Sequence, residues 1–211
     1  MQQRTWYVAY GSNLAIARFR CYLSGGRPTG GARDYVGCVN PSEPARIEKA
    51  ALPGGLVFAA ESGVWGGGMA FYDPESPSLT ACRAYLVTVE QFSDVAAQEA
   101  RRPPGGEFAR NLARLLPTVE TVATTGPGWY DTVVRLGELD GVPMFTITHH
   151  DIASLRLSPP SAPYLRCMST GLRESHGYDD ARIARYLGSA PGLRGTWTES
   201  DILAAIGCAA D

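Results

Sequence analysis

The sequence predicts an α+β fold, with strands concentrated in the middle of the chain and helices at several junctions and at its end. Residues 81–87 are rich in β-branched and aromatic side chains, which favour a strand. Asp140-Gly141 separates two apolar runs, 130–139 and 142–148, and is the clearest hairpin signal in the chain. Three helical patterns follow, over residues 164–173, 179–187 and 200–206. This arrangement of elements indicates an α+β architecture.

The first strand of the chain ends in a loop that is suited to anion binding. A β-rich run that ends at Tyr10 is followed by Gly11, Ser12 and Asn13, and then by a helical pattern. Gly11 permits close approach of other backbone, and Ser12 or Asn13 can cap the helix. The first N–H groups of a helix are free and carry positive potential, so we expect a carboxylate to bind here. Strand, turn and helix join in this way in many mixed folds, so the loop alone does not define a site.

A carboxylate lies where a helix normally carries an apolar residue. Thr88 and Gln91 form a capping box, which predicts that a helix begins there. The apolar stripe of this helix consists of Phe92, Val95 and Ala96. Helical spacing places Glu99 next in the same stripe, so we expect Glu99 to face the core.

A buried carboxylate has two physical explanations. Glu99 either pairs with a base such as Arg101 or Arg102, or is held with a raised pKa for proton transfer. Taken alone, its position favours neither explanation.

The region between the first helix and residue 80 gives weaker signals. It is rich in Gly and Pro, and its short apolar runs at 35–39 and 56–60 predict weak strands. Residues 65–72 predict a strand that is bent at its three consecutive glycines.

Length and composition restrict the class of protein. A chain of 211 residues with 45% apolar residues can bury a full core as one domain, and we expect a single domain over residues 1–211. The net charge of −2 comes with scattered charges of both signs, which argues against nucleic acid and membranes as partners. The sequence has no apolar run long enough to span a bilayer and no apolar signal core at its start.

The cysteines and histidines predict neither disulfides nor a metal site. The number of cysteines is odd and no Cys-x-x-Cys pair occurs, so we expect a reducing cytoplasm; the five are Cys21, Cys38, Cys82, Cys167 and Cys208. His149, His150, Asp151 and His176 match no zinc spacing, and adjacent histidines on a strand point to opposite faces. We therefore expect no metal and no cofactor.

Three segments together resemble the gamma-glutamylcyclotransferase-like family. They are the loop Tyr10-Gly11-Ser12-Asn13-Leu14, the pair Gln98-Glu99 at a helix end, and Pro160-Ser161-Ala162-Pro163-Tyr164. Their order and approximate spacing agree with the family over residues 6–174. The resemblance implies a small, partly closed β-barrel of mixed strand direction flanked by helices.

The same resemblance assigns roles to individual residues. Glu99 becomes the general acid and base, and the substrate-binding residues are Tyr10, Gly11, Ser12, Asn13, Leu14 and Tyr164. The substrate is a small molecule, a gamma-glutamyl amide, which is cleaved to 5-oxoproline and a free amine or amino acid. The alternative is a non-catalytic binding or regulatory protein that retains the anion loop. The sequence specifies neither the leaving amine nor the oligomeric state.

The chain departs from the family pattern after Glu99. The family often has glycine at the next position, where this chain has Ala100. Residues 101–129 are longer than the compact family pattern requires. We expect this insertion to contain a helix around residues 108–116 and to form a lid or a rim over the pocket.

Overall fold

A six-stranded sheet of mixed direction forms the centre of the molecule in a computed structural model, which describes residues 3–207. The strands in chain order are β1 (Arg4–Ala9), β2 (Arg46–Pro53), β3 (Gly55–Ala59), β4 (Met69–Asp73), β5 (Leu79–Thr88), β6 (Val122–Thr124), β7 (Thr132–Leu139) and β8 (Val142–Thr148). The sheet order is β2-β5-β1-β8-β7-β6, and β3 and β4 form a separate ribbon. The β1–β8 pair is parallel and the other pairs are antiparallel.

Helices cover both faces of the sheet. They are α1 (Ile16–Ser24), α2 (Val89–Glu99), α3 (Glu107–Leu115), α4 (Ala162–His176), α5 (Asp180–Gly188) and α6 (Glu199–Gly207). The predicted helix after Thr88 is confirmed, with the complete capping box between Thr88 and Gln91. The three predicted helices at the end of the chain are also confirmed, and α4 is longer at both ends than its pattern suggested.

Strand β1 is buried on both faces and separates two hydrophobic cores. Trp6 and Val8 belong to the core that includes α4, α5 and α6. Tyr7 and Ala9 point the other way, as the period of two in a strand requires, and join the core that includes α1, α2 and α3. The loop that follows β1 is therefore anchored from both sides.

The hairpin signal is confirmed. Asp140 and Gly141 connect β7 to β8 with φ angles of 52° and 72°, the left-handed conformation that a tight hairpin turn of this type requires.

Two edge strands were not predicted, and one predicted strand is wrong. Strands β2 and β6 are the edges of the sheet and are largely exposed, so they lack the apolar content by which a strand is recognised. The run at 56–60 is confirmed by β3, whereas the run at 35–39 forms only a single bridge between Tyr35 and Gly26. Strand β4 begins at Met69, after a turn in which Gly66 and Gly67 have positive φ.

The α+β class and the mixed strand direction are confirmed. The ribbon meets the sheet at Thr148, whose Oγ1 donates to the carbonyl oxygen of Tyr72 at 2.8 Å and accepts from its N–H at 3.1 Å. Among the described residues, β2 and β6 each pair with only one strand and form the two edges of the sheet. Backbone hydrogen bonds therefore do not close the sheet into a barrel.

The insertion at 101–129 contributes to the core. It contains α3, near the predicted helix, followed by a 3₁₀ turn at Leu116–Thr118 and by β6. Leu112, Leu116 and Val119 are buried in the same core as Phe92 of α2. Part of the insertion thus packs into the core, whereas most of its residues are exposed or half-buried. The lid or rim expected from the sequence stays a prediction.

Helix α4 touches the backbone of the anion loop at a glycine. A Cβ atom at Gly171 would lie 2.3 Å from the carbonyl carbon of Leu14 and 2.4 Å from the nitrogen of Ala15. Real Cβ atoms do not approach backbone so closely, so the position of α4 against the loop requires glycine here.

We predict that Gly171→Ala destabilises the protein by about 1–3 kcal/mol, because the added methyl overpacks a contact with backbone that cannot move aside. Denaturant unfolding measures the change. Gly207→Ala in α6 is the matched control, since its Cβ would meet no atom within 4 Å. A Gly171→Ala protein as stable as the control would contradict this close contact.

Candidate active site

The loop after β1 continues into one 3₁₀ turn, Ser12–Leu14, before α1 begins at Ile16. The N–H of Leu14 donates to the carbonyl oxygen of Gly11 at 3.0 Å, and the N–H of Ala15 donates to that of Ser12 at 3.1 Å. Among the described residues, the N–H groups of Gly11, Ser12 and Asn13 make no backbone hydrogen bond. These three donors are therefore not used by other backbone groups, as the sequence leads us to expect.

The predicted side-chain cap by Ser12 or Asn13 is wrong. The 3₁₀ turn precedes the helix, so Ala15 occupies the N-cap position of α1, and no side chain caps it. Asn13 instead donates from Nδ2 to the Tyr7 hydroxyl at 2.9 Å. The N–H of Ile16 is satisfied from outside, by Glu174 Oε2 at 3.1 Å.

The loop and Glu99 meet at one small cavity. The cavity has a volume of about 30 Å³. It is lined by Tyr7, Tyr10, Gly11, Asn13, Ala70, Glu99, Tyr130 and Ile147. Three residues of the loop segment and the carboxylate at the end of α2, separated by more than eighty positions in sequence, thus face the same space.

Glu99 is surrounded by protein on most sides and opens to this cavity on the remaining one. Burial raises the pKa of its carboxyl above the ordinary value, and Arg18, Tyr22 and Asn13 counteract part of that rise. Among the described residues Glu99 makes no ion pair within 4.0 Å, and Arg101 and Arg102 are exposed. Of the two explanations left open by the sequence, the raised pKa is the one that this geometry supports.

Two of the predicted substrate-binding residues, Leu14 and Tyr164, are not among the residues that line the cavity. Leu14 is fully buried in the core. The Tyr164 hydroxyl accepts from the N–H of Ala70 at 3.3 Å and lies against Gly11, where it would be 3.0 Å from an added Cβ. Tyr164 therefore contacts the loop directly, although it is not among the residues that line the cavity.

Two other predicted residues have their polar groups engaged elsewhere. The Tyr10 hydroxyl donates to the carbonyl oxygen of Ile147 at 2.7 Å, although its ring lines the cavity. Ser12 is buried, and its carbonyl oxygen accepts from the Cys167 thiol at 3.5 Å. The backbone N–H of Ser12 is directed at the Tyr164 hydroxyl, where it counteracts part of the burial-driven rise in the pKa of that group.

Three residues near the site were missed by sequence reasoning. Tyr7 lines the cavity from β1, three residues before Tyr10. Tyr130 lines it from the segment just before β7, and its hydroxyl donates to the carbonyl oxygen of Ala70 at 2.9 Å. Arg18 is 4% exposed and acts electrostatically on Glu99. A sequence signal for Arg18 exists, since it lies four residues after Leu14 and four before Tyr22, on the buried face of α1.

A second polar group lies at the end of β8. His150 Nδ1 is 2.7 Å from Asp131 Oδ2, and the rings of His149 and His150 stack with centroids 4.5 Å apart. The prediction that these histidines point to opposite faces is wrong, because β8 ends at Thr148 and the chain turns there. Asp131, His149 and His150 place ligand-type atoms within 4.8 Å of one another, a set of residue types that suits a metal. The absence of a metal stays a prediction.

The remaining sequence expectations concern cysteines and membranes. Cys21, Cys38, Cys82 and Cys167 are free thiols, and Cys208 lies outside the described residues. None of the helices between residues 3 and 207 combines the length and the apolar composition needed to cross a bilayer.

Comparison with solved structures identifies the fold. A structure of gamma-glutamyl cyclotransferase superposes with a TM-score of 0.51 and 15% identity, covering 96% of this chain and 99% of that one. An uncharacterized protein from Homo sapiens gives a TM-score of 0.49 and 16% identity over the same shares of the two chains. The chain has the gamma-glutamylcyclotransferase-like fold, which confirms the resemblance seen in the three motifs at the level of the fold.

Comparison of sequences adds one relative. Histone deacetylase 5 of Arabidopsis thaliana is 30% identical over 200 residues, a match that covers 88% of this chain and 30% of that protein. The chain thus spans about a third of the length of the curated relative it matches. No protein-family model matches the chain.

We predict that Glu99→Gln stabilises the protein at neutral pH. A raised folded-state pKa means that the ionised carboxylate destabilises the fold, and this cost is absent below the unfolded pKa and grows as pH rises toward the folded pKa. The gain should reach at most about 1.4 kcal/mol for each unit by which the pKa is raised. Denaturant unfolding of both proteins between pH 4 and 8 measures it; a gain that is constant with pH would contradict the raised pKa.

Proposed function

We propose that the protein is an enzyme of the gamma-glutamylcyclotransferase type. The observation that carries the proposal is the convergence of Glu99 with Gly11 and Asn13 of the loop on one cavity. The fold shared with gamma-glutamyl cyclotransferase and the family resemblance of three motifs support it. The free thiols of the described cysteines suit the reducing cytoplasm expected from the sequence.

The reaction needs no nucleophile from the protein. Glu99 accepts a proton from the substrate α-ammonium, and the freed amine attacks the γ-carbonyl carbon to form the new C–N bond of a five-membered ring. The bond from that carbon to the leaving nitrogen then breaks as the protonated Glu99 returns its proton to the departing amine. The second proton of the attacking nitrogen passes to the released amine, which leaves in its ammonium form. The products are 5-oxoproline and a free amine. Intramolecular attack of this kind reaches effective molarities of about 10⁵ M or more when the geometry is held.

The loop supplies the electrostatic part of this mechanism. Backbone N–H groups at Gly11, Ser12 and Asn13 bind an oxygen of the substrate, either the α-carboxylate or the oxygen on which negative charge develops. The cavity is lined by aromatic rings from Tyr7, Tyr10 and Tyr130, which limit the access of water to the reacting amine. The raised pKa of Glu99 brings it closer to neutral pH, where proton transfer in both directions is efficient.

We predict that Glu99→Gln lowers kcat by about 10²–10⁴-fold, because the amide cannot take up or return the proton. Release of 5-oxoproline from a panel of gamma-glutamyl amides measures the rate, and isothermal titration with the same compounds measures binding. Glu90→Gln is the matched control, since Glu90 lies on the exposed face of the same helix.

The same assay separates the enzyme from the alternative, a non-catalytic binding protein. Such a protein would bind the amides without releasing 5-oxoproline from any of them. Equal turnover by wild type and Glu99→Gln would remove Glu99 from its proposed role.

A further prediction concerns the pH dependence of the reaction. Because Glu99 must be ionised to accept the proton, kcat/KM should fall as pH drops through its folded-state pKa, which lies above the ordinary glutamate value of about 4.3. A pH profile of kcat/KM measures the acid limb. A limb at or below the ordinary value would show that another group controls the reaction.

A further inference from the structure

We propose that Asp131, His149 and His150 form a binding site for a divalent transition-metal ion such as Zn²⁺. The three side chains place ligand-type atoms within 4.8 Å of one another. Two imidazoles and one carboxylate suit Zn²⁺ and related ions, whereas Mg²⁺ and Ca²⁺ favour oxygen ligands. None of the three residues lines the cavity at Glu99, so the inference goes beyond the proposed function and does not depend on it.

The pairing of β7 with β8 brings the three residues together. Thr132, the first residue of β7, lies opposite Thr148, the last residue of β8. The next residue beyond each of them, Asp131 and His149, therefore leaves the sheet at the same end. The N–H of His150 then donates to Asp131 Oδ1 at 3.0 Å, which holds the turn after β8 against this carboxylate.

This cluster is not the one that sequence spacing led us to reject. That set combined the adjacent histidines with Asp151 and His176, and neither of these two residues belongs to the cluster in the structure. The carboxylate comes instead from Asp131, on the other strand of the hairpin, which spacing along the chain does not reveal.

The Asp131 carboxylate is buried and held in one orientation. Its side chain is 4% exposed, and its Oδ1 atom accepts from the Thr132 hydroxyl at 2.9 Å as well as from the N–H of His150. Oδ2 is thereby directed at the His150 ring, whose Nδ1 atom is 2.7 Å away. Carboxylates that bind metals are typically oriented by such hydrogen bonds from groups that do not touch the ion.

Both histidine rings can provide a nitrogen without a proton, as metal binding requires. His149 Nδ1 accepts from the N–H of Asp151 at 3.0 Å, so this nitrogen carries no proton. His150 Nδ1 shares a proton with Asp131 Oδ2. An ion that enters between them displaces that proton, which passes through solvent to Nε2 of the same ring and leaves the ring neutral.

The cluster is open to solvent on one side. The His150 side chain is 57% exposed, which gives an ion a path to the site. Bonds of about 2.0–2.2 Å to one ion place ligand atoms about 3–3.5 Å apart, so the rings must move inward by about 1–2 Å at most. Three protein ligands leave the fourth position of a tetrahedral ion for water.

An ion at this site would join two segments of the cavity wall. Tyr130 and Ile147 line the cavity at Glu99, and they lie one and two residues from Asp131 and His149 in the chain. Because the ion binds only the folded arrangement of these strand ends, we expect it to stabilise the fold.

Isothermal titration of the chelator-treated full chain with zinc chloride tests the site. We expect one saturable site per chain, and a loss of affinity of at least about 10–100-fold in His149→Ala and in His150→Ala, since loss of outer hydrogen bonds alone has an effect of that size. His176→Gln is the matched control. It removes the third histidine of the chain, whose Nε2 donates to the carbonyl oxygen of Ala50 at 3.2 Å, and should keep the wild-type affinity.

Two further readouts accompany the titration. Zn²⁺ should raise the midpoint of thermal unfolding of wild type and His176→Gln but not of His150→Ala. Co²⁺ should give visible absorption bands without the near-ultraviolet charge-transfer band of a thiolate ligand. Such a charge-transfer band would place the ion on cysteines and overturn the inference, as would wild-type affinity in either alanine variant or the lack of a saturable site.

Nuclear magnetic resonance of the wild-type chain keeps the inference testable if the alanine variants do not fold. The side-chain ¹⁵N signals of His176 are identified by their loss in His176→Gln. We expect Zn²⁺ to shift the signals of the other two histidines in a saturable manner and to leave those of His176 in place. Unshifted signals of His149 and His150 at saturating Zn²⁺ would reject the site.

Discussion

The antiparallel pairing of β1 with β5 is the constraint on which the candidate site depends. Arg4 at the start of β1 lies opposite Thr88, where α2 is capped, and Ala9 at its end lies opposite Arg83. Helix α2 therefore begins beside the start of β1 and returns along it. Its 11 residues span about 16 Å, and the six residues of β1 span about 20 Å. The last residue of the helix, Glu99, thus arrives beside the loop that follows the strand.

The same arrangement explains why the carboxylate is tolerated where a core residue would be expected. The apolar stripe of α2 packs in the core through Phe92, Val95 and Ala96. Glu99 lies at the end of this stripe, where the helix borders the cavity. Arg18 approaches from α1 and offsets part of the cost of burial without forming an ion pair within 4.0 Å. A direct pair would hold the carboxylate ionised and engaged, whereas the separation leaves it free to exchange a proton.

Local signals in the sequence are sufficient to predict the two parts of the site, Glu99 at the end of α2 and the loop after β1. The capping box fixed the start of α2, and a period of 3.6 from Phe92 then fixed the direction of Glu99. The loop is recognisable because Gly11, Ser12 and Asn13 interrupt an apolar strand. The predicted side-chain cap of α1 is wrong because a 3₁₀ turn lies between the loop and the helix.

Features that depend on contacts between distant segments could not be predicted from those signals. Tyr130 reaches the cavity only because β7 pairs with β8 and β8 with β1. The stacked histidines at 149 and 150 depend on where β8 ends, which alternation along a strand does not reveal. Strands β2 and β6 pair through their backbones at the edges of the sheet, so their exposed side chains carry little pattern. Part of the insertion at 101–129 joins the core because Leu112 and Leu116 pack in the same cluster as α2, a contact without a local signature.

Unsatisfied polar atoms distinguish this site from an ordinary buried network. Asn13 Oδ1, Arg18 Nε and Arg18 Nη1 are the buried side-chain atoms without a hydrogen-bond partner within residues 3–207, and all three belong to side chains that act on Glu99. Native proteins rarely leave such atoms unpaired, because each costs desolvation without compensation. One acceptor and two donors beside a carboxylate complement a ligand that carries both an ammonium and a carboxylate. The gamma-glutamyl amide of the proposed reaction has both groups, whereas a protein selected only for packing would have no reason to keep these atoms free.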